Sequence, residues 1–145
     1  MVASLPCHDE ITVCRTCAGW LMKRTGHIDV TPILPVSDME AAICFYEEAG
    51  FDTERYDAGF AFVRSNDQSV FDLALAAGMD PATNHAACYI ITADIDQWHH
   101  RCSTAGLQVT PIEVTPWGMR EFTVTDPSGN NVRVGDNVDP AGASS

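Results

Sequence analysis

The chain has 145 residues, of which 46% are hydrophobic, and a formal net charge of −12. That length suits one domain or two small modules sharing a core, and the apolar content is too high for general disorder. Eight Lys and Arg against twenty Asp and Glu argue against a phosphate-tracking nucleic-acid binder and favour cationic or neutral ligands.

No apolar run approaches the ~20 residues that a membrane span requires. The start, Met1 to Glu10, has no basic segment followed by an apolar one and so does not resemble a secretory signal. Without such a signal, six cysteines suggest reduced thiols and a cytoplasmic protein rather than a disulfide framework. Residues 1–26 form an N-terminal extension expected to be poorly ordered. It contains Cys7, His8, Cys14 and Cys17, whose Cys-x-x-Cys spacing is that of a zinc knuckle or redox pair. No second such pair accompanies it, so no metal role is assigned to it.

From Val30 onward two segments share one plan. A strand over 30–36 leads to a helix opened by Asp38 and closed by Gly50, with Met39, Ala42, Tyr46 and Ala49 on one face. Short strands follow over 51–56, 59–64 and 69–76, and residues 78–84 form a link. Then a strand over 87–92 leads to a helix opened by Asp94 and closed by Gly106, with Ile95, Trp98, Cys102 and Ala105 on one face. Strands over 108–114, 120–125 and 131–135 complete this half. The second helix repeats the first 56 positions later at both ends (38 to 94, 50 to 106). Pro32 and Pro35 confine the first strand to a sheet edge, a bulge, or pairing that spares their missing N–H groups. His99 and His100 point about 100° apart on their helix, cannot easily share a metal, and are expected to be solvent-exposed. Residues 138–145 are expected to be a flexible tail.

The most informative segment is Pro116-Trp117-Gly118-Met119-Arg120-Glu121-Phe122, followed by the turn Asp126-Pro127-Ser128-Gly129-Asn130. It predicts a hairpin with large apolar side chains beside charge, which suits a bulky, partly cationic ligand. Together with Thr31 to Asp38, Phe45 to Phe51 and Asp57 to Phe62, it resembles the vicinal-oxygen-chelate superfamily (glyoxalases, extradiol dioxygenases, antibiotic-resistance proteins). Within that superfamily it is most similar to bleomycin-resistance proteins. The resemblance covers about residues 29–137. It implies an α+β fold of two βαβββ modules, about 29–77 and 86–136 within a 27–137 domain, whose curved mixed sheets form a cup. It also implies a homodimer with ligand grooves between subunits.

Metal-dependent relatives carry His or Glu at four symmetric points. By the shared landmarks these fall here on Thr31, Asp72, Ala87 and Arg133, and even moving His85 into the site leaves only two donors. One carboxylate beside a guanidinium does not make a stable site, which needs at least three donors. Neither a metal nor another cofactor is therefore expected. The resemblance selects Phe60, Tyr89 and Trp117 as groove residues. Phe62 and Phe122 are further candidates that strand alternation could send to the opposite face. Asp57, Asp72 and Glu121 are candidate partners for a ligand's cationic group. The expected function is non-enzymatic sequestration of a planar, cationic small molecule of the bleomycin type. The alternatives are a metal-dependent lyase, isomerase or dioxygenase of the same fold, or a pocket for an unrelated metabolite.

Overall fold

In the computed structural model, residues 26 and 28–137 are described. The chain divides into Met1–Val30 and Thr31–Ser145, and the architecture below is that of the second unit. The Cys7, His8, Cys14, Cys17 group and the 138–145 tail lie outside the described residues.

Each half follows the anticipated order. β1 (Ile33–Val36), α1 (Met39–Ala49), β2 (Asp52–Asp57), β3 (Phe60–Ser65) and β4 (Gln68–Leu75) make the first module. β5 (Ala87–Ile91), α2 (Ile95–Thr104), β6 (Gln108–Val109), β7 (Glu113–Val114), β8 (Met119–Thr125) and β9 (Asn131–Asn137) make the second. Each module has a mixed sheet. The strand orders are β1-β4-β3-β2 and β5-β9-β8-β6, with β7 also paired to β8. β1 runs parallel to β4 and β5 parallel to β9, while the hairpin pairs are antiparallel. β1 lies at a sheet edge, where its Pro35 is tolerated.

The helix boundaries follow local chemistry. Asp38 caps α1 by accepting from the Ala41 N–H, and Gly50 closes it in the left-handed region at φ 104°. The second helix is ended less symmetrically. The Asp94 side chain makes no cap hydrogen bond, the C-cap is Ala105, and Gly106 follows at φ 75°. The single strand expected over 108–114 is instead two short pieces interrupted at Thr110-Pro111-Ile112. Pro111 has no N–H to continue the ladder.

One core joins the modules. α1 buries Met39, Ala42, Phe45, Tyr46 and Ala49 against Leu34, Val36, Ala61, Val63, Phe71 and Leu73 of the first sheet. α2 buries Ile95 and Cys102 toward Phe122, Val124, Val132 and Val134 of the second. Trp98 packs at the border of this core with its ring 4.7 Å from that of Phe51, in keeping with its expected core role. His99 departs from the exposure expected for it. Its ring is half-buried, edge-on to Phe122 at 5.0 Å, and its Nε2 lies 3.0 Å from the Thr110 carbonyl.

The β8–β9 turn is buried rather than solvated. Asp126, Ser128 and Asn130 are all almost fully inaccessible. Asp126 Oδ1 accepts the N–H groups of Ser128 and Asn130, both at 2.9 Å. Its Oδ2 accepts the Tyr46 hydroxyl of α1 at 2.7 Å and Asn130 Nδ2 at 2.8 Å. Asn130 Nδ2 also donates to the Pro35 carbonyl of β1, and the Ser37 N–H donates to Ser128 Oγ. The link between modules joins in, since Asn84 Nδ2 donates to the Ser128 carbonyl and to Asn130 Oδ1. Burial, then the Asp126 carboxylate, pushes the Tyr46 phenol well above its ordinary range, so it stays a donor. Gly129 sits at φ 85°, where a Cβ would overlap the Pro81 carbonyl oxygen.

Two stability outcomes follow. Tyr46→Phe leaves a buried carboxylate short of one donor and should lower unfolding free energy by about 2 kcal/mol, read from the urea midpoint. Gly129→Ala adds left-handed strain to a backbone collision and should cost about 2 kcal/mol or more in the same assay.

Candidate ligand-binding site

Strand alternation divides the candidate residues between two faces. In the first sheet Leu34, Ala61, Val63, Phe71 and Leu73 point to the core, so Ile33, Phe60, Phe62, Arg64 and Asp72 occupy the face turned away from α1. In the second, Phe122, Val124, Val132 and Val134 point inward, leaving Tyr89, Glu121, Thr123, Arg133 and Gly135 on the opposite face. These two outward faces are the open faces of the sheets.

On the first open face the aromatic rings form a chain. Phe62 stands edge-on to Phe60 at 5.5 Å and to Tyr56 at 6.1 Å, and the Arg64 guanidinium lies over the Phe62 ring at 5.5 Å. Arg64 also pairs with Glu54 at 3.2 Å. Asp72 is opposite Phe62 on one side and Ile33 on the other. Its Oδ1 is buried without a hydrogen-bond partner, as is Arg64 Nε. Desolvation raises the Asp72 carboxyl above its ordinary range, against a smaller opposing pull from Arg64. Asp57 stands apart at the β2–β3 turn, where its Oδ1 accepts the Gly59 N–H at 2.7 Å. That is a turn-forming role.

The second open face carries a cavity of about 410 Å³ bounded by the 110–117 segment and by Glu121, Phe122, Thr123 and Arg133. Trp117 is presented there by the β7–β8 hairpin. Pro116 begins the turn, the Gly118 N–H returns to the Thr115 carbonyl at 3.0 Å, and Gly118 takes φ 84°. This is a type I turn closed by a left-handed glycine, and Thr115 Oγ1 accepts the Met119 N–H to secure it. Trp117 is consequently 67% exposed. Its Nε1 donates to Glu121 Oε1 at 3.2 Å, and the Tyr89 hydroxyl donates to the same oxygen at 2.8 Å. Arg133 Nε lies 3.9 Å from Glu121 Oε2. Desolvation and the Glu121 carboxylate push the Tyr89 phenol up to about 12, so it remains a donor throughout the physiological range.

The eight expected site residues are thus distributed unevenly. Phe60, Phe62 and Asp72 share the first open face, and Tyr89, Trp117 and Glu121 are hydrogen-bonded together on the second. Phe122 bounds the cavity, but it is only 1% exposed and its ring is packed on His99. Alternation along β8 gives the open face to Glu121 and Thr123 instead. Arg120, beside the aromatic segment in sequence, is turned away and joins Asp96 of α2 to Asp136 of β9, at 3.0 and 2.8 Å. Sequence reasoning missed Gly135, whose signal was a glycine inside a strand. It also passed over Thr110, Pro111 and Glu113 of the cavity rim.

The strand register tests the fit to a metal. Ile33 pairs with Asp72, and Tyr89, 56 positions on, pairs with Arg133, so Asp72 and Arg133 are equivalent positions in the two sheets. A guanidinium therefore occupies the place symmetric to the remaining carboxylate. Among the described residues, no three or more His, Cys, Asp or Glu are grouped to hold a metal ion. The donor set does not fit the centre of the metal-dependent relatives.

Residues 24–134 match the family model for the glyoxalase/bleomycin resistance protein/dioxygenase superfamily. A bleomycin resistance protein of Klebsiella pneumoniae is 28% identical over 122 residues, spanning 79% of this chain and 96% of that one. The structure of bleomycin-binding protein complexed with bleomycin superposes with a TM-score of 0.70 at 25% identity, covering 77% of this chain and 99% of that chain. The copper(II)-bleomycin complex of the binding protein from Streptomyces verticillus gives 0.65 at 27% identity, covering 76% and 96%. With its two βαβββ modules and mixed sheets, the chain belongs to the glyoxalase/bleomycin resistance protein/dioxygenase superfamily.

Proposed function

We propose that this protein binds and sequesters a bulky, planar, cationic antibiotic of the bleomycin type, and so confers resistance without chemical conversion of the drug. The observation carrying this reading is Trp117, an exposed indole fixed beside a 410 Å³ cavity in a chain of which 77% aligns with almost the whole of a bleomycin-binding protein. A flat heteroaromatic ring can stack on the indole face while its edges reach polar atoms of Thr110, Thr115 and Thr123 at the rim. On the first sheet Phe60 and Phe62 supply further aromatic surface beside Asp72. Asp72, whose Oδ1 has no hydrogen-bond partner, is the carboxylate best suited to a ligand's positive charge. Asp57 is engaged in its turn. The net charge of −12 adds long-range attraction for such a cation.

The donor set supports binding over metal-assisted turnover, because Arg133 replaces the carboxylate that a metal would need. A homodimer belongs to the same proposal. Two separate aromatic open faces in one chain suit an arrangement in which a second copy closes each groove, and Ile33, Tyr56 and Ile91 leave these faces with exposed apolar surface.

Titration calorimetry with metal-free and copper-loaded bleomycin should give micromolar or tighter binding, about −8 kcal/mol. The absence of heat at micromolar protein would remove bleomycin as the ligand. Trp117→Ala should weaken binding at least tenfold, a loss of about 1.4 kcal/mol, while leaving the unfolding midpoint nearly unchanged. Light scattering after size exclusion should give the mass of two chains, and a monomer at working concentration would contradict the dimeric groove.

A further inference from the structure

We infer that Glu121 is a positioning residue that clamps Trp117 and Tyr89 into one rigid platform, and that Gly135 exists to let the clamp close. This rests on the reading of Trp117 as the surface on which the ligand stacks. Three observations on the second sheet converge on it.

The first is the direction of the hydrogen bonds. One oxygen, Glu121 Oε1, accepts both the indole N–H of Trp117 and the hydroxyl of Tyr89. The two donors come from different places, the β7–β8 hairpin and β5, so a single carboxylate joins the outermost turn to the far edge of the sheet. The Glu121 side chain is only 11% exposed, whereas Trp117 and Tyr89 are 67% and 44% exposed. The carboxylate lies beneath the aromatic groups, not in front of them. It presents little surface to a ligand's cation but holds the rings that meet the ligand.

The second is the glycine. Tyr89 lies on β5, Glu121 on β8, and β9 runs between them. Gly135 of β9 is the residue directly opposite Glu121. A Cβ on Gly135 would collide with the Tyr89 hydroxyl and ring. The tyrosine can cross the intervening strand only because that position has no side chain. The φ of Gly135 is not in the left-handed region, so backbone freedom does not account for a glycine there.

The third is charge. Glu113 of β7 stands directly across from Glu121, a like-charge pair that alone would destabilise the hairpin. The two donated hydrogen bonds, with Arg133 near the other oxygen, offset that repulsion and hold Glu121 in place. The charged groups facing the carboxylate are thus Glu113 and Arg133. The high Tyr89 phenol value is the corresponding signature on the donor.

The test uses the full chain, without ligand and then with metal-free bleomycin. In the free protein, tyrosinate absorbance against pH should place Tyr89 near 12, and Glu121→Ala should lower it by removing the carboxylate's contribution while that of burial remains. The indole N–H signal of Trp117, assigned by its absence in Trp117→Phe, should lose protection from solvent exchange in Glu121→Ala and in Tyr89→Phe stay protected. Gly135→Ala should also lower the Tyr89 value, by expelling the ring from its place over β9. With bleomycin, Glu121→Ala should weaken binding about tenfold, and Glu121→Gln, which retains an oxygen acceptor, should recover most of it. Equal losses in the Gln and Ala variants would mean that the charge itself meets the ligand, which overturns the positioning role. An unchanged Tyr89 titration and indole exchange in Glu121→Ala would overturn the clamp outright. If wild-type protein fails to bind bleomycin, the proposed function falls, while the two ligand-free measurements still decide the clamp.

Discussion

The buried Asp126 carboxylate is the constraint on which the architecture depends. Four donors converge on it, from two backbone N–H groups, Asn130 and Tyr46 of the other module. An ionised group placed there without those partners would be strongly unfavourable, so the β8–β9 turn, helix α1 and strand β1 must all be in position together. Ser128, Asn130 and Asn84 extend the same network to Ser37, Pro35 and the inter-module link. Hydrophobic burial supplies the driving force for two sheets to pack under two helices. This polar knot selects one arrangement of them.

That arrangement has a functional consequence. By anchoring the start of β9 it fixes the register that puts Tyr89 beside Arg133 and Glu121 beside Gly135. The helices cover one face of each sheet with core side chains, which leaves the other faces to carry aromatic rings and charge. Equivalent positions in the two modules have then diverged, with Asp72 in one and Arg133 in the other. Opposite charges at symmetric points do not assemble a divalent-cation site, and they give the two open faces different charge.

The repeated βαβββ plan was legible because it is written in local signals. Asp38 and Gly50 bound a helix whose apolar face has a 3.6-residue period, and the same marks return 56 residues later. Pro116, Gly118 and the β-branched run 123–125 likewise announced the hairpin that presents Trp117. What the chain concealed depends on contacts between distant segments. Asp126-Pro127-Ser128-Gly129-Asn130 has the composition of a solvated turn, and nothing local says that Tyr46, eighty residues earlier, will bury it. The hydroxyl of Tyr89 that reaches Glu121 comes from β5, 32 residues earlier. Phe122 looked like its neighbours until the parity of β8 was known. Gly135 was visible as a glycine in a strand, but its reason required the cross-strand path of Tyr89.

We propose that an aromatic surface on the second sheet holds a bleomycin-type ligand without transforming it. A crystal structure of the protein grown with bleomycin tests that most directly. Intact drug is expected, with a planar ring against Trp117 on the open face of the second sheet, while Glu121 keeps its bonds to Trp117 and Tyr89. Drug bound elsewhere, or electron density for a cleaved or modified product, would contradict it.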